Sequence, residues 1–172
     1  MNDLQRLAPD TLRIERVLDA PPDTVWRWLV DPALRALWFA GGTAIEGEGS
    51  FELEFDHDRL GTRPSPYPAE FAEHRGARCT EQVLRCEPPR VLAISWGGGT
   101  EGIATFELTA EGARTRLVLT HRGISGPAPY RNFAGGWAAH LEVLQTRIAG
   151  FSDEDFWALF RRAEAEVAVR LA

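Results

Sequence analysis

The 172-residue chain contains no lysine; all 19 of its basic side chains are arginine. That absence excludes Schiff-base chemistry and the phosphate-gripping lysine of a P-loop. With 25 acidic residues against those arginines the formal net charge is -6, and the arginines are scattered along the chain. Nucleic acid needs a concentrated basic face, so it is not an expected partner. Cysteine is scarce, with only Cys79 and Cys86. Both fall in one expected strand, and at about 3.3 Å per residue their backbones stand roughly 23 Å apart, beyond disulfide reach. Their spacing also puts them on opposite faces of a regular strand, so they read as buried thiols and not as a metal or redox pair. No apolar run approaches the roughly 20 residues of a membrane helix, and the polar start MNDLQRLAPD lacks the features of a signal peptide. The expectation is one cytoplasmic domain, with no membrane contact, large enough to bury a core and a cavity beside it.

What is present is organised around a stretch near the C-terminal end, Tyr130 to Gly150. Phe133, Trp137, Leu141, Leu144 and Ile148 recur there at helical spacing and make one apolar stripe. Gly135 and Gly136 each cost a helix about 1 kcal/mol relative to alanine. A close approach of the helix backbone to a strand or a bound molecule is the physical reason to expect them. Gly150 stands where a C-terminal cap belongs.

The upstream sequence reads as strands to be covered by that helix. Leu12 to Leu18 alternates and ends at Ala20-Pro21-Pro22. A helix carrying Val25, Trp26, Leu29 and Val30 follows until Asp31-Pro32, then a second short helix from Pro32 to Trp38. Thr43 to Glu46 and Ser50 to His57 are expected to form a hairpin, with Phe51, Leu53, Phe55 and His57 on one face. Asp58 to Arg75 breaks every period and carries Pro64, Pro66 and Pro68. Its Tyr67 and Phe71 favour a lid over a site rather than a solvated excursion. Strands resume at Ala77 to Cys86, Val91 to Trp96, Ile103 to Leu108 and Thr115 to His121, joined by short turns that make neighbours antiparallel. Ser152 is placed to cap a last helix, with Asp153 and Glu154 in its first turn and Phe156, Phe160, Ala163 and Val167 as its apolar stripe. That helix packs either on its own domain, residues 1–150, or on a partner such as a second copy.

The segments APPDTVWRWLVDPALRALWF, VLRCEPPRVLAISW, TRLVLTHRG and GGWAAHLEVL together span most of Ile14 to Gly150. In combination they resemble the START/birch-pollen-allergen (SRPBCC) superfamily, and within it the family named after the activator of the heat-shock-protein-90 ATPase. The resemblance implies an α+β helix-grip fold: a curved antiparallel sheet wrapped around a long C-terminal helix, with an apolar cavity between them and an added C-terminal helix. It also implies a stress-response setting and a chaperone or other protein partner as an alternative to a small molecule. The superfamily holds carriers, receptors, cyclases and co-chaperone-like domains, so fold alone does not settle function.

With that fold, strand parity turns Phe55, His57, Leu84, Trp96, Phe106, Leu119 and His121 toward the helix, while Trp38, Trp137, His140 and Leu141 close the ends. Such a wall is apolar with a few polar points, as small-molecule sites are. His57 and His121 each end an apolar strand face and are the sharpest candidates to orient a polar group of a ligand near neutral pH. The same residues would serve equally as plain core. No cofactor is expected: the histidines lack metal-ligand spacing, and Gly97-Gly98-Gly99 has no lysine to make it a phosphate loop. Ser95 and Ser125 sit outside a nucleophile elbow. Glu101 beside His121 or Arg122 is the one acid-base pairing that suggests itself, so catalysis on a bound aromatic substrate ranks third.

Overall fold

A computed structural model describes residues 3–62, 66–151 and 155–171. It has the helix-grip α+β architecture: a curved antiparallel sheet against a long helix. Strands β1 (Asp3–Ala8) and β2 (Thr11–Leu18) lead into helices α1 (Pro22–Val30) and α2 (Pro32–Arg35). There follow β3 (Gly49–Glu54), β4 (Arg78–Glu87), β5 (Val91–Ser95), β6 (Ile103–Glu111) and β7 (Arg114–Arg122), then helices α3 (Pro127–Ile148) and α4 (Phe156–Leu171). The sheet order is β1-β2-β7-β6-β5-β4-β3, every pair antiparallel. No described helix is long and apolar enough to cross a membrane.

The period-two patterns explain the inner face. Leu12, Ile14, Arg16 and Leu18 of β2, and Thr115, Leu117, Leu119 and His121 of β7, all point inward. Asp31 ends α1 and starts α2, its Oδ1 accepting from the amides of Ala33 at 2.8 Å and Leu34 at 3.4 Å. Behind that V, buried Arg35 donates from all five of its N–H groups to the carbonyls of Ala40, Leu29, Val30, Gly41 and Thr43. Desolvation lowers its pKa to about 10. This clamp folds the segment after α2 back over the sheet and delivers Trp38 and Phe39 to the core.

Several expectations need correction. Thr43 to Glu46 is not a strand. Gly41 and Thr43 each donate one amide bond to β3, at Glu54 and Glu52, and the segment then departs to bond Val30. The seventh strand is β1, whose polar sequence gave no apolar face. The second helix ends at Arg35 rather than Trp38. β3 ends at Glu54, so His57 lies beyond the strand, in a 3-10 turn. Cys79 and Cys86 do not face opposite ways. The register of β4 against β5 shifts between Val83 and Arg85, and both thiols pack against the core.

Gly150, with φ 84°, caps α3 with a Schellman pair: Phe151 N donates to Thr146 O at 2.9 Å and Gly150 N to Arg147 O at 3.0 Å. α4 lies against α3. A Cβ on Gly135 would stand 3.0 Å from Glu164 Cγ and 3.5 Å from its Cα, so the close approach expected of the paired glycines is to α4 and not to a strand. The expected cap Ser152, with Asp153 and Glu154, lies outside the described residues, as does Pro64. Within them, Asp155 Oδ1 accepts from the amides of Trp157 at 2.9 Å and Ala158 at 3.4 Å.

Candidate ligand cavity

A cavity of about 680 Å³ lies between the sheet, α3 and α4. The sheet side contributes Phe55, Cys79, Glu81 and Trp96, and α3 contributes Phe133, Gly136, Trp137 and His140. Phe39 comes from the segment after α2, Phe71 and His74 from a 3-10 helix at Ala69–His74, and Phe156, Trp157 and Phe160 from α4. Nine Phe or Trp side chains thus line a volume of the size that holds a drug-sized molecule. They brace one another. Phe39 stacks on Trp137 at 5.2 Å, Trp96 meets Trp137 edge-on at 5.5 Å, and Phe71 stacks on Trp157 at 5.5 Å.

Of the residues expected at the site, Phe55, His57, Trp96, Trp137 and His140 line this space. Six do not. Trp38 is buried with its indole N–H given to Trp28 O at 2.9 Å, and Phe106, Leu119 and Leu141 are core beneath the wall. Leu84 is 47% exposed, because it is the extra residue of the β4 bulge and points outward. His121 is wholly buried and wholly engaged. Its Nε2–H donates to Glu101 O at 2.8 Å, and its Nδ1 accepts from the Trp137 indole at 3.0 Å. Desolvation lowers its pKa, so it is a neutral bracket that holds Trp137 in place and has no nitrogen left for a ligand. The suspected pairing of Glu101 with His121 exists, but through the Glu101 backbone carbonyl.

His57 and His140 are different. The rings lie 5.9 Å apart at the α4 end of the cavity, among Phe156 and Trp157. His140 donates from Nδ1 to Trp38 O at 2.8 Å, because a carbonyl can only accept, so its Nε2 is an acceptor. His57 Nδ1 is 2.7 Å from Tyr67 Oη. Desolvation first, with nearby Asp58, pushes the phenol up to about 12, so Tyr67 keeps its proton, and the phenol donates to or accepts from Nδ1 according to the His57 tautomer. Burial, reinforced by His74, pushes His57 down to about 4; burial, reinforced by His57, pushes His140 down to about 3. Near neutral pH the cavity therefore offers two uncharged imidazoles: His140 Nε2 as an acceptor, and His57 Nε2 as donor or acceptor according to its tautomer.

Sequence reading placed Phe71 in an expected lid over a site and missed Phe39, Phe133, Phe156, Trp157, Phe160 and Glu81 as lining. The signal for the first five of these was their density in WFA, RNF and DFWALF, where aromatic residues exceed what one amphipathic stripe needs. Glu81 gave none, since an acid in an alternating strand reads as the outward face. Among the described residues no group of three or more His, Cys, Asp or Glu is arranged to hold a metal ion.

A model of the family described as "Activator of Hsp90 ATPase homolog 1-like protein" matches residues 19–149. Among solved structures, a Bordetella parapertussis protein encoded by gene BPP1335 is 41% identical, with a TM-score of 0.80 over 95% of this chain and 87% of that one. CalU16 from Micromonospora echinospora is 24% identical, with a TM-score of 0.66 over 98% of this chain and 96% of its own. A conserved protein of unknown function from Enterococcus faecalis is 19% identical, with a TM-score of 0.64 over 99% and 92% of the two chains. These last two likenesses show the fold. No curated protein matches the chain.

Proposed function

Because the chain belongs to the Activator of Hsp90 ATPase homolog 1-like family, whose helix-grip fold commonly binds hydrophobic ligands, we propose that it binds an aromatic or otherwise hydrophobic small molecule between sheet and helix. The single observation that carries this reading is Gly136. A glycine inside α3 costs about 1 kcal/mol relative to alanine. Gly135 has a packing reason for that cost in the nearby backbone of α4, and Gly136 has none: a Cβ there would meet only Phe160 Cε2, at 4.0 Å. What a side chain at Gly136 would occupy is the cavity it lines. The position favours empty space over helix stability, as a binding site requires and a plain core does not.

Trp96, Trp137 and Phe156 supply contact area, while His140 Nε2 accepts from a hydroxyl or amide group of the ligand and the His57 Nε2-protonated tautomer donates to it. The partner-binding reading rests on the loop after His57 and on α4 as contacting parts. Their aromatic side chains Tyr67, Phe71, Phe156, Trp157 and Phe160 pack inward, which lends that reading less support. The test is calorimetric titration with naphthol of the natural protein and of Gly136→Leu. Saturable one-to-one binding by the natural protein and its loss in a Gly136→Leu variant that melts no lower supports a ligand cavity. Equal binding by both would place the ligand elsewhere, and no binding to either would remove the proposal.

A further inference from the structure

Beside the Gly97–Gly99 turn the cavity wall is acidic, and its chemistry is specific. Glu81 is only 3% exposed. Its Oε2 accepts from Ser95 Oγ at 2.5 Å, and the Gly98 amide reaches the same oxygen at 3.1 Å. Ser95 Oγ itself accepts from Gln82 N at 2.9 Å, which commits its hydroxyl proton to Glu81. Only neutral donors serve this carboxylate: no ion pair reaches it among the described residues. Deeply buried acids are seldom left without a cation, because uncompensated charge in a poorly solvated place is costly. Glu81 nevertheless lines the cavity, and so does Glu101, on the other side of the Gly97–Gly99 turn. Arg78, the one guanidinium among the described lining residues, is 73% exposed and paired with Glu54 at 3.1 Å. Trp96 precedes the same turn and meets Phe133 edge-on at 6.1 Å, and aromatic faces attract organic cations.

Filling this space with a neutral hydrophobic molecule would take the Glu101 carboxylate out of water, leave Glu81 with its neutral donors alone and put no charge of the opposite sign beside either. A ligand bearing an ammonium group supplies that charge. We propose that the cavity selects hydrophobic amines: molecules with an aromatic or aliphatic body and a protonated amine, the amine seated between Glu81 and Glu101 against Trp96 and Phe133. This rests on the small-molecule reading above and names the ligand class for that same cavity.

Three probes of one shape but different charge decide it: naphthylmethylammonium, naphthylmethanol and naphthoate, titrated calorimetrically into the full chain at low salt. The expected order is ammonium tightest, by about tenfold or more over the alcohol, and naphthoate weakest. Glu81→Gln and Glu101→Gln should each lower the ratio of ammonium to alcohol affinity by about threefold or more. Glu101 is exposed, so its variant decides the matter even where Glu81→Gln disturbs folding. Alcohol and ammonium bound equally, naphthoate bound tightest, or a ratio indifferent to both substitutions would overturn the amine inference while leaving the cavity as a binding site. Failure of all three probes would overturn both.

Discussion

Acidification should unfold this protein through its histidines, His57 and His140 foremost and His121 in the same direction, before its carboxylates matter. In an unfolded chain histidine titrates near 6.5, whereas in the fold His57 is held down to about 4 and His140 to about 3. Both pKa values are depressed, so the native state binds fewer protons than the unfolded state between them. Stability is complete above about pH 6.5 and falls as the pH drops toward the folded values. At about pH 5 both rings are still neutral in the fold, and each unfolded histidine gains roughly 2 kcal/mol from protonation. The sum, on the order of 4 kcal/mol, is a large share of the roughly 5–15 kcal/mol that stabilises a typical domain. Urea unfolding followed by the fluorescence of the six tryptophans, at about pH 8 and about pH 5, measures it directly. His140→Asn, whose amide can still donate to Trp38 O, should remove about 1.4 kcal/mol per pH unit from the slope across that window. Equal stability at the two pH values, or a variant whose slope matches the natural protein, would refute the assignment of two buried neutral histidines.

Other perturbations separate scaffold from site. His121→Ala leaves the Trp137 indole N–H and the Glu101 carbonyl without partners and should cost roughly 2–4 kcal/mol in chemical denaturation. Gly136→Ala should raise stability by up to about 1 kcal/mol, since its Cβ meets nothing closer than 4.0 Å. Gly135→Ala should fall short of that gain, because Glu164 must move; matching melting temperatures for the two would contradict the packing described. Arg35→Lys strips at least two of five carbonyls of their donor and should cost about 2–5 kcal/mol, read as a lowered urea midpoint.

The strands were legible in the sequence where one face is apolar. Phe51 and Leu53, or Leu117 and Leu119, announce their face by alternation alone, and both pairs are buried. β1 was not legible, because an edge strand with polar residues on both faces has no such pattern. Thr43 to Glu46 misled for the opposite reason: β-branched residues beside a turn look like a strand, while only Gly41 and Thr43 give an amide to β3. For the cavity, α3 was readable because Trp137 and His140 follow from helical spacing. The sheet wall was readable at Phe55 and Trp96 but not along β4, where parity counting fails across the bulge and sends Leu84 to the wrong side. His121 shows a further limit. Its position on an inner strand face was plain, but whether its nitrogens meet a ligand or Trp137 and Glu101 depends on contacts far apart in the chain.

The cavity is tested most directly by nuclear Overhauser contacts between bound naphthol and the isotope-labelled protein. The account predicts contacts to the rings of Trp96, Trp137 and Phe156, with the His57 and His140 signals shifting in the same titration. Contacts confined to outward-facing groups such as Leu84 or Val169, or no contacts at saturating naphthol, would contradict it.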